Sequence, residues 1–573
     1  MSYVTVQPDL IATAAANLEE IRSVVTAAGA AATAPTTGLA AAAADEVSEA
    51  LAALFGAYGR QCQAMIGQTT AFQAEFARIM AAGGLAYLES EVANAASTAL
   101  EPIISPIRSL LTNAAAAPAA AITLVMGASG YPIPIEDYIQ GIPPLYIDPF
   151  YPGGTNIGIN TPEGLYPLTG IKDLTFDVSA ARGLTILDNA INAAFGQLGA
   201  TTVNVFGYSQ SSVIASMEML ALNPSNTPGG SIFNDLNFTL VGNPSNPNGG
   251  LLSRFPGLRL PSLGIDVFGV ATPDNSFPTN IFTIEYDGFG GFPQYPLNVV
   301  SDINAFLGII ELHGHYPYLS AQELAGAIEL TNTTDPNLLA HYYMIRTENL
   351  PILSPLRAIP IIGHPLAELI EPDMRVIVNL GYGSTTNGWS PDPPNVATGF
   401  GVIPPVPPGE IISALANGTQ LGINNFAHEI SLIDSSDFAA LAPTFDTAGL
   451  NKVLAGAQHS MSSPQNFVQS LLDANLKLGY TTSAVAASAY STLQPTADIF
   501  NAALTALPAY NIDLFGNGIL QALNGDPVGG LTNAFGKPLA ATVGLGVLMA
   551  GFEVRVFQHA LSDIASEVNA LFA

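Results

Sequence analysis

Val203-Asn-Val-Phe-Gly207-Tyr208-Ser209-Gln210-Ser211-Ser212 passes from a β-branched apolar segment, through a turn of small residues, into a helix-forming stretch. A serine on such a strand-to-helix turn is a nucleophile elbow, in which a tight backbone lifts the hydroxyl clear of the sheet. The residues two before and two after must be small so that strand and helix can approach. Gly207 meets that condition fully and Ser211 nearly so. The turn would hold Ser209 in a strained conformation at a helix N-terminus, where the Gln210 N–H can donate to a developing oxyanion. The bare G-x-S-x-S pattern recurs in any Gly/Ser-rich loop. The strand before it and the helix after it make Ser209 a candidate nucleophile rather than a turn residue.

The flanking chain fits that reading. Ile122-Thr-Leu-Val-Met126 is a short apolar run that enters a turn at Gly127-Ala128-Ser129-Gly130, and helical spacing follows from Ser179 to Leu198. The elbow strand is expected over Thr202–Phe206, a helix over Ser211–Leu222, and further strands at Phe238–Val241 and Asn280–Tyr286. Strands alternating with helices predict an α/β fold with a mostly parallel sheet covered on both faces.

A serine nucleophile needs a base and an acid to orient it, and in this fold the chain order is Ser, then Asp or Glu, then His. Asp287, in Ile284-Glu-Tyr-Asp-Gly288, sits where a strand is expected to end, the edge at which open α/β sheets place their sites. His313 and His315, in Leu312-His-Gly-His-Tyr-Pro317, follow soonest in a Gly/Pro loop and are both candidates for the base. His341, His364, His428, His459 and His559 lack that context. A metal pair at His313 and His315 would need a third ligand at characteristic spacing, and the sequence offers none, so neither metal nor cofactor is expected.

Composition narrows the function further. The chain has 573 residues, 15 Lys+Arg against 45 Asp+Glu, a formal charge of -30 and 49% hydrophobic residues. Such an acidic surface cannot neutralise a row of phosphates, so nucleic-acid binding is set aside. The single cysteine, Cys62, rules out an intramolecular disulfide framework and a Cys-based zinc site. The N-terminus lacks the basic and continuous apolar segments of a Sec signal peptide. Leu539–Phe552 is apolar for about fourteen residues, short of the roughly 20 that span a bilayer, and is expected to be a buried helix rather than a transmembrane span.

Residues 1–94 read as an antiparallel two-helix hairpin. Leu10, Ala14, Leu18, Ile21 and Val25 form one stripe, a loop is expected over Ala34–Gly38, and a longer seam runs from Val47 through Tyr58, Cys62 and Phe72 to Ile79. A hairpin cannot hide all of that surface within itself, so a partner helix or the following domain must cover it. Residues 95–120 carry Pro102, Pro106 and an alanine run and read as a linker. The domain expected over 121–399 carries the elbow. Residues 400–573, which open on Pro404-Pro405-Val-Pro407-Pro408, read as mainly helical and hold no motif.

The opening MSYVTVQPDLIATAAANLEEIRSVVTAAGAAATAPTTGL and the exit through Tyr87-Leu88-Glu89-Ser90-Glu91 resemble the N-terminal domain of the mycobacterial PE family. Pro8-Asp9 stands where that family usually has Pro-Glu, a mild change. The resemblance implies pairing with a PPE-type protein and a type VII export signal of form Y-x-x-x-D/E, which Tyr87 and Glu91 match. Residues from about 121 to 390 resemble the PE-PPE domain, a cutinase-like α/β serine hydrolase module, through LVMGASGYPIP, VFGYSQSS, IEYDGFGGFPQYPLNVVSDINAFLG, HGHYPY and IEPDMRVIVNLGYGS. Carried over, the resemblance implies Ser209 as nucleophile, Asp287 as orienting acid and His313 as general base, with Asp302 and Asp274 as runner-up acids. Ser129 replaces the threonine of the family's G-G-T-G and keeps a hydroxyl and an N–H for the oxyanion hole. The implied function is a secreted or cell-surface esterase or lipase acting on acyl esters. Two alternatives stand beside it: an acyltransferase loading trehalose-type glycolipids, and an inert PE surface protein. Phe289, Phe292, Tyr295 and residues 351–362 are candidates to line an acyl groove.

Overall fold

The computed structural model describes residues 121–433 and 464–572, apart from 234, 267 and 268, together with 26, 30, 32–38 and 63. The chain divides into two compact units, Met1–Ala116 and Ala117–Ala573. Most of the expected hairpin, the linker, Tyr87 and Glu91 lie outside the described residues. The loop expected over Ala34–Gly38 is corrected: residues 32–37 are helical, and the Gly38 N–H closes on the Ala34 carbonyl at 3.2 Å. The Thr36 and Thr37 hydroxyls donate back to the carbonyls of Ala32 (2.6 Å) and Thr33 (2.7 Å), so residues chosen as helix breakers instead serve its last turn.

The second unit is built on a seven-stranded sheet: β1 (Ala121–Met126), β2 (Thr155–Ile159), β3 (Thr202–Tyr208), β4 (Leu236–Val241), β5 (Thr279–Ile284), β6 (Ile328–Glu329) and β7 (Ala340–Ile345). Their order is β2-β1-β3-β4-β5-β7-β6, and every neighbouring pair is parallel except β6 with β7. Strand residues alternate between two cores, as a period of two requires in a sheet covered on both faces. Val203 and Val205 face one core with Leu187, Ile191, Val213 and Ile214; Phe206 and Tyr208 face the other with Tyr146, Phe282 and Tyr316. The connecting helices include α1 (Phe176–Gly196), α2 (Gln210–Leu222), α3 (Val299–Glu311) and α4 (Gly363–Leu380). Strand order reverses across β1, with β2 on one side and β3 on the other. The crevice beyond the strand C-termini at that point is where such sheets place ligands.

Beyond residue 400 come α5 (Pro408–Leu432), α6 (Pro464–Tyr490), α7 (Leu493–Asn501), α8 (Leu507–Leu523) and α9 (Pro527–Phe572). These helices do not stand apart from the sheet domain. Ile499, Leu507, Ala540, Ala541, Leu545, Leu548 and Met549 share one buried cluster with Phe255, Leu260, Phe292 and Phe306. The Tyr166 hydroxyl donates to Asp498 Oδ2 at 2.6 Å, and the Ser262 hydroxyl to the Asp498 carbonyl at 2.8 Å. The apolar stretch Leu539–Phe552 is longer in structure than its composition suggested. It lies inside the 46-residue α9, which by length and composition alone could cross a membrane, with 39% of its most apolar window buried.

Candidate active site

At the end of β3 the backbone turns through Ser209, whose φ of 58° and ψ of −118° lie in the strained region expected of an elbow. A Cβ on Gly207 would sit 2.9 Å from the Ser211 carbonyl oxygen and the Ser212 Cα, so only glycine lets helix α2 approach the strand. Ser211 is more than a small residue. Its hydroxyl accepts from the Tyr208 N–H at 2.8 Å and donates to the Gly127 carbonyl at 2.6 Å, stapling the elbow to the turn after β1.

That turn carries Ser129, whose hydroxyl lies 3.4 Å from Gln210 Oε1. The Gln210 amide donates to the Gly164 carbonyl at 2.9 Å, and the Glu163 carbonyl accepts from the Gly130 N–H at 2.8 Å. Two adjacent carbonyls thus hold both sides of the candidate oxyanion hole. As the first residue of α2, Gln210 has no carbonyl within the helix for its own N–H to bond. Burial pushes the Glu163 carboxyl up to about 8, moderated by the Thr161 hydroxyl, so this acid stays neutral near the site at ordinary pH.

His313 Nε2 lies 2.7 Å from Ser209 Oγ, and His313 Nδ1 lies 2.9 and 3.0 Å from the two oxygens of Asp287. Asp287 is fully buried and also accepts from the Tyr316 hydroxyl (2.8 Å) and the Phe289 N–H (3.1 Å). A buried carboxylate with donors on each oxygen keeps its place without rotating away from the imidazole. The Tyr208 hydroxyl donates to the His313 carbonyl, and the Phe289 ring meets the imidazole edge to face at 4.7 Å. Burial first, and the Asp287 charge next, raise the Tyr208 and Tyr316 hydroxyls above their ordinary range, so both act as donors. Gly242 takes φ 54°, and a Cβ there would come within 2.9 Å of His313 Cε1.

Ser209, Asp287, His313, Gln210, Ser129, Gly207 and Ser211 therefore lie together at the C-terminal end of β3. His315 lies instead beside a surface cleft with Tyr318 and Glu323. Asp274 sits at the N-terminal end of β7, where its carbonyl accepts from the Ala340 N–H, and its carboxylate accepts from Asn226 and Asn395. Asp302 is buried in α3 with no partner for either oxygen among the described residues, and its burial raises it to about 9. His341, His364 and His559 pair locally with Glu329, Glu429 and Arg555. His459 lies outside the described residues.

A cavity of about 100 Å³ abuts Ser209, Gln210 and Ser129. Of the residues expected to line an acyl groove, Phe289 does so, whereas Phe292 is packed in the core, Tyr295 is buried elsewhere, and Leu353, with Ile352 and Leu356 packed against it, belongs to a separate cluster with Tyr286.

Residues 4–94 match the PE family and residues 152–383 match the PE-PPE domain. PE family protein PE3 of Mycobacterium tuberculosis is 42% identical over 465 residues, covering 81% of this chain and 96% of that one. The chain belongs to the PE family. In the same organism the PPE family protein PPE28 is 44% identical over 500 residues (86% of this chain, 73% of the relative), and the esterase PE16 is 41% identical over 402 residues (69% and 72%). The PE-PPE match begins after Ser129 and ends before α5, although both lie in the same compact unit as the elbow. Sequence reasoning passed over Tyr316, Glu163 and the Ser211 hydroxyl. Tyr316 was within reach, since it stands in the quoted His-Gly-His-Tyr-Pro run beside the histidine.

Proposed function

We propose that this PE-family chain is an exported serine esterase that cleaves acyl esters through an acyl-enzyme. Ser209 Oγ attacks the ester carbonyl while His313 Nε2 takes its proton, and Asp287 stabilises the imidazolium at Nδ1. The N–H groups of Gln210 and Ser129 receive the oxyanion. His313 then returns the proton to the departing alcohol, activates a water, and that water releases the acid. The observation that carries this reading is the unbroken chain of contacts from Ser209 to His313 (2.7 Å) to Asp287 (2.9 Å) beside an apolar cavity. The name of the esterase PE16 supports the same class.

Acyl transfer is the second reading. Ser209 is 5% exposed and the cavity walls are almost wholly apolar, conditions that keep water scarce around an acyl-enzyme and favour an acceptor hydroxyl. PE-family membership also supports pairing of the N-terminal hairpin with a PPE-type protein. Type VII export through Tyr87 and Glu91, and an envelope location, complete the proposal.

The test is hydrolysis of a p-nitrophenyl ester series by wild type and Ser209→Ala, with and without trehalose. A loss of about 10⁴-fold or more in the alanine variant, with unchanged circular dichroism, is expected. Activity that survives would remove Ser209 from the mechanism. Acyl groups found on the sugar would convert the esterase into a transferase.

A further inference from the structure

The cavity beside Ser209 has two sources of wall. One is the PE-PPE domain, through Leu165, Leu252, Leu260 and Phe289. The other is the C-terminal region beyond the match, through Ile499 of α7 and Leu545, Leu548, Met549 and Phe552 of α9. The four α9 positions are spaced i, i+3, i+4 and i+7, which places them on one helix face. Among the described residues no charged side chain lines the cavity, and its polar side chains are those of Ser129, Ser209, Gln210 and Tyr166.

That face is firmly seated. The Phe552 ring meets Phe306 edge to face at 5.7 Å, and a Cβ on Gly551 would come within 2.5 Å of the same phenylalanine. A Cβ on Gly544 would reach 2.7 Å from Pro296, and Asp498 receives the Tyr166 hydroxyl from the cavity rim. The glycines let α9 press close enough for its larger side chains to reach the space beside the nucleophile.

We propose that α7 and α9 form the distal wall of the acyl-chain pocket and set the length of aliphatic chain that the enzyme accepts. This rests on the serine-esterase reading. The ligand class follows from the lining: an uncharged alkyl chain whose carboxyl carbon sits at Ser209. At about 100 Å³ the space is smaller than the roughly 150 Å³ void that holds a benzene ring, so short chains fit and longer ones press on its apolar walls, Leu548 and Met549 among them.

The test compares p-nitrophenyl esters from acetate to palmitate with the full chain. The variants are Leu548→Ala and Leu548→Trp, with Leu561→Ser on the exposed face of α9 as a control. Truncation is expected to move the kcat/KM optimum to longer chains, with a gain of about fourfold per added methylene newly buried. Tryptophan should move the optimum to shorter chains, and the control should not move it. Chain-length profiles in both Leu548 variants that match wild type and the Leu561→Ser control would overturn the proposal while leaving the esterase reading untouched. Binding of free fatty acids of the same lengths to Ser209→Ala protein, by calorimetry, gives a readout independent of turnover. The chain-length ranking should shift with Leu548→Ala there too, even if no ester is cleaved, and an unchanged ranking would overturn the assignment.

Discussion

Residues 121–345 bring Ser209, His313 and Asp287 together with directional bonds and a strained backbone, whereas residues 499–552 reach the same cavity with apolar side chains and glycines. In the first region directional bonds hold each candidate residue or its turn: Ser211 ties the elbow to Gly127, Tyr316 holds Asp287, and Tyr208 holds the His313 backbone. In the second, position comes from packing against Phe306, Pro296 and Phe255. Proton transfer requires atoms placed to a few tenths of an ångström, and hydrogen bonds supply that. An alkyl chain requires only volume and the exclusion of water, and side-chain packing supplies both.

The largest effect expected from probing that contrast is on the polar side. Tyr316→Phe removes a donor to a buried carboxylate and leaves the Ile284 N–H, which bonds the same hydroxyl at 2.8 Å, without its acceptor. Hydrogen bonds to charged groups are worth about 1.5–3 kcal/mol, so kcat should fall by about tenfold or more with KM little changed. Steady-state kinetics across one ester check it. A change confined to KM would mean that Tyr316 does not position Asp287.

On the packed side the comparable intrusion is Gly551→Val. The new side chain would drive α9 away from Phe306, and overpacking of this kind costs about 1–3 kcal/mol. Denaturant unfolding should show that loss. Acetate hydrolysis should change less than hydrolysis of long esters, because Ser209 and its partners lie on the other wall. Equal losses for all esters would mean that the two regions are not separable in function.

This division also explains what was legible in the sequence. Ser209 and Asp287 could be read because each stands in a short run whose composition is forced, small residues around the elbow and a strand end; the Gly/Pro loop offered His313 and His315 alike, and only the resemblance to the PE-PPE domain preferred His313. The elbow strand and the helix after it were bounded to within two residues. β2, β6 and β7 escaped notice. Thr-Asn-Ile-Gly-Ile in β2 is short, is interrupted by Asn156 and Gly158, and lies only partly buried at the sheet edge, and β6 is two exposed residues. Leu545, Leu548, Met549 and Phe552 make the same stripe as any buried helix, so periodicity alone could not assign them to a pocket. Asp302 stood as a runner-up acid on its residue type alone. Its burial away from any histidine is a property of tertiary packing that no local pattern announces.

Asp302 sits on α3, the helix that carries Phe306 against α9, and so tests the seam between the two regions. Its carboxyl is fully buried with neither oxygen bonded among the described residues, and desolvation raises it from 3.8 to about 9. In the unfolded chain the group ionises near 3.8; in the folded protein it keeps its proton until about pH 9. Between those limits the native state binds more protons than the unfolded state, so stability falls as pH rises. Asp302 thus contributes most below its unfolded value, and what it contributes is lost on the way to pH 9. The slope from one such group is at most about 1.4 kcal/mol per pH unit. Asp302→Asn, which carries no ionisable proton, should flatten the fall in Tm between pH 5 and pH 8 and leave ester hydrolysis near wild type. An unchanged slope would mean that Asp302 is already charged in the folded protein over that range.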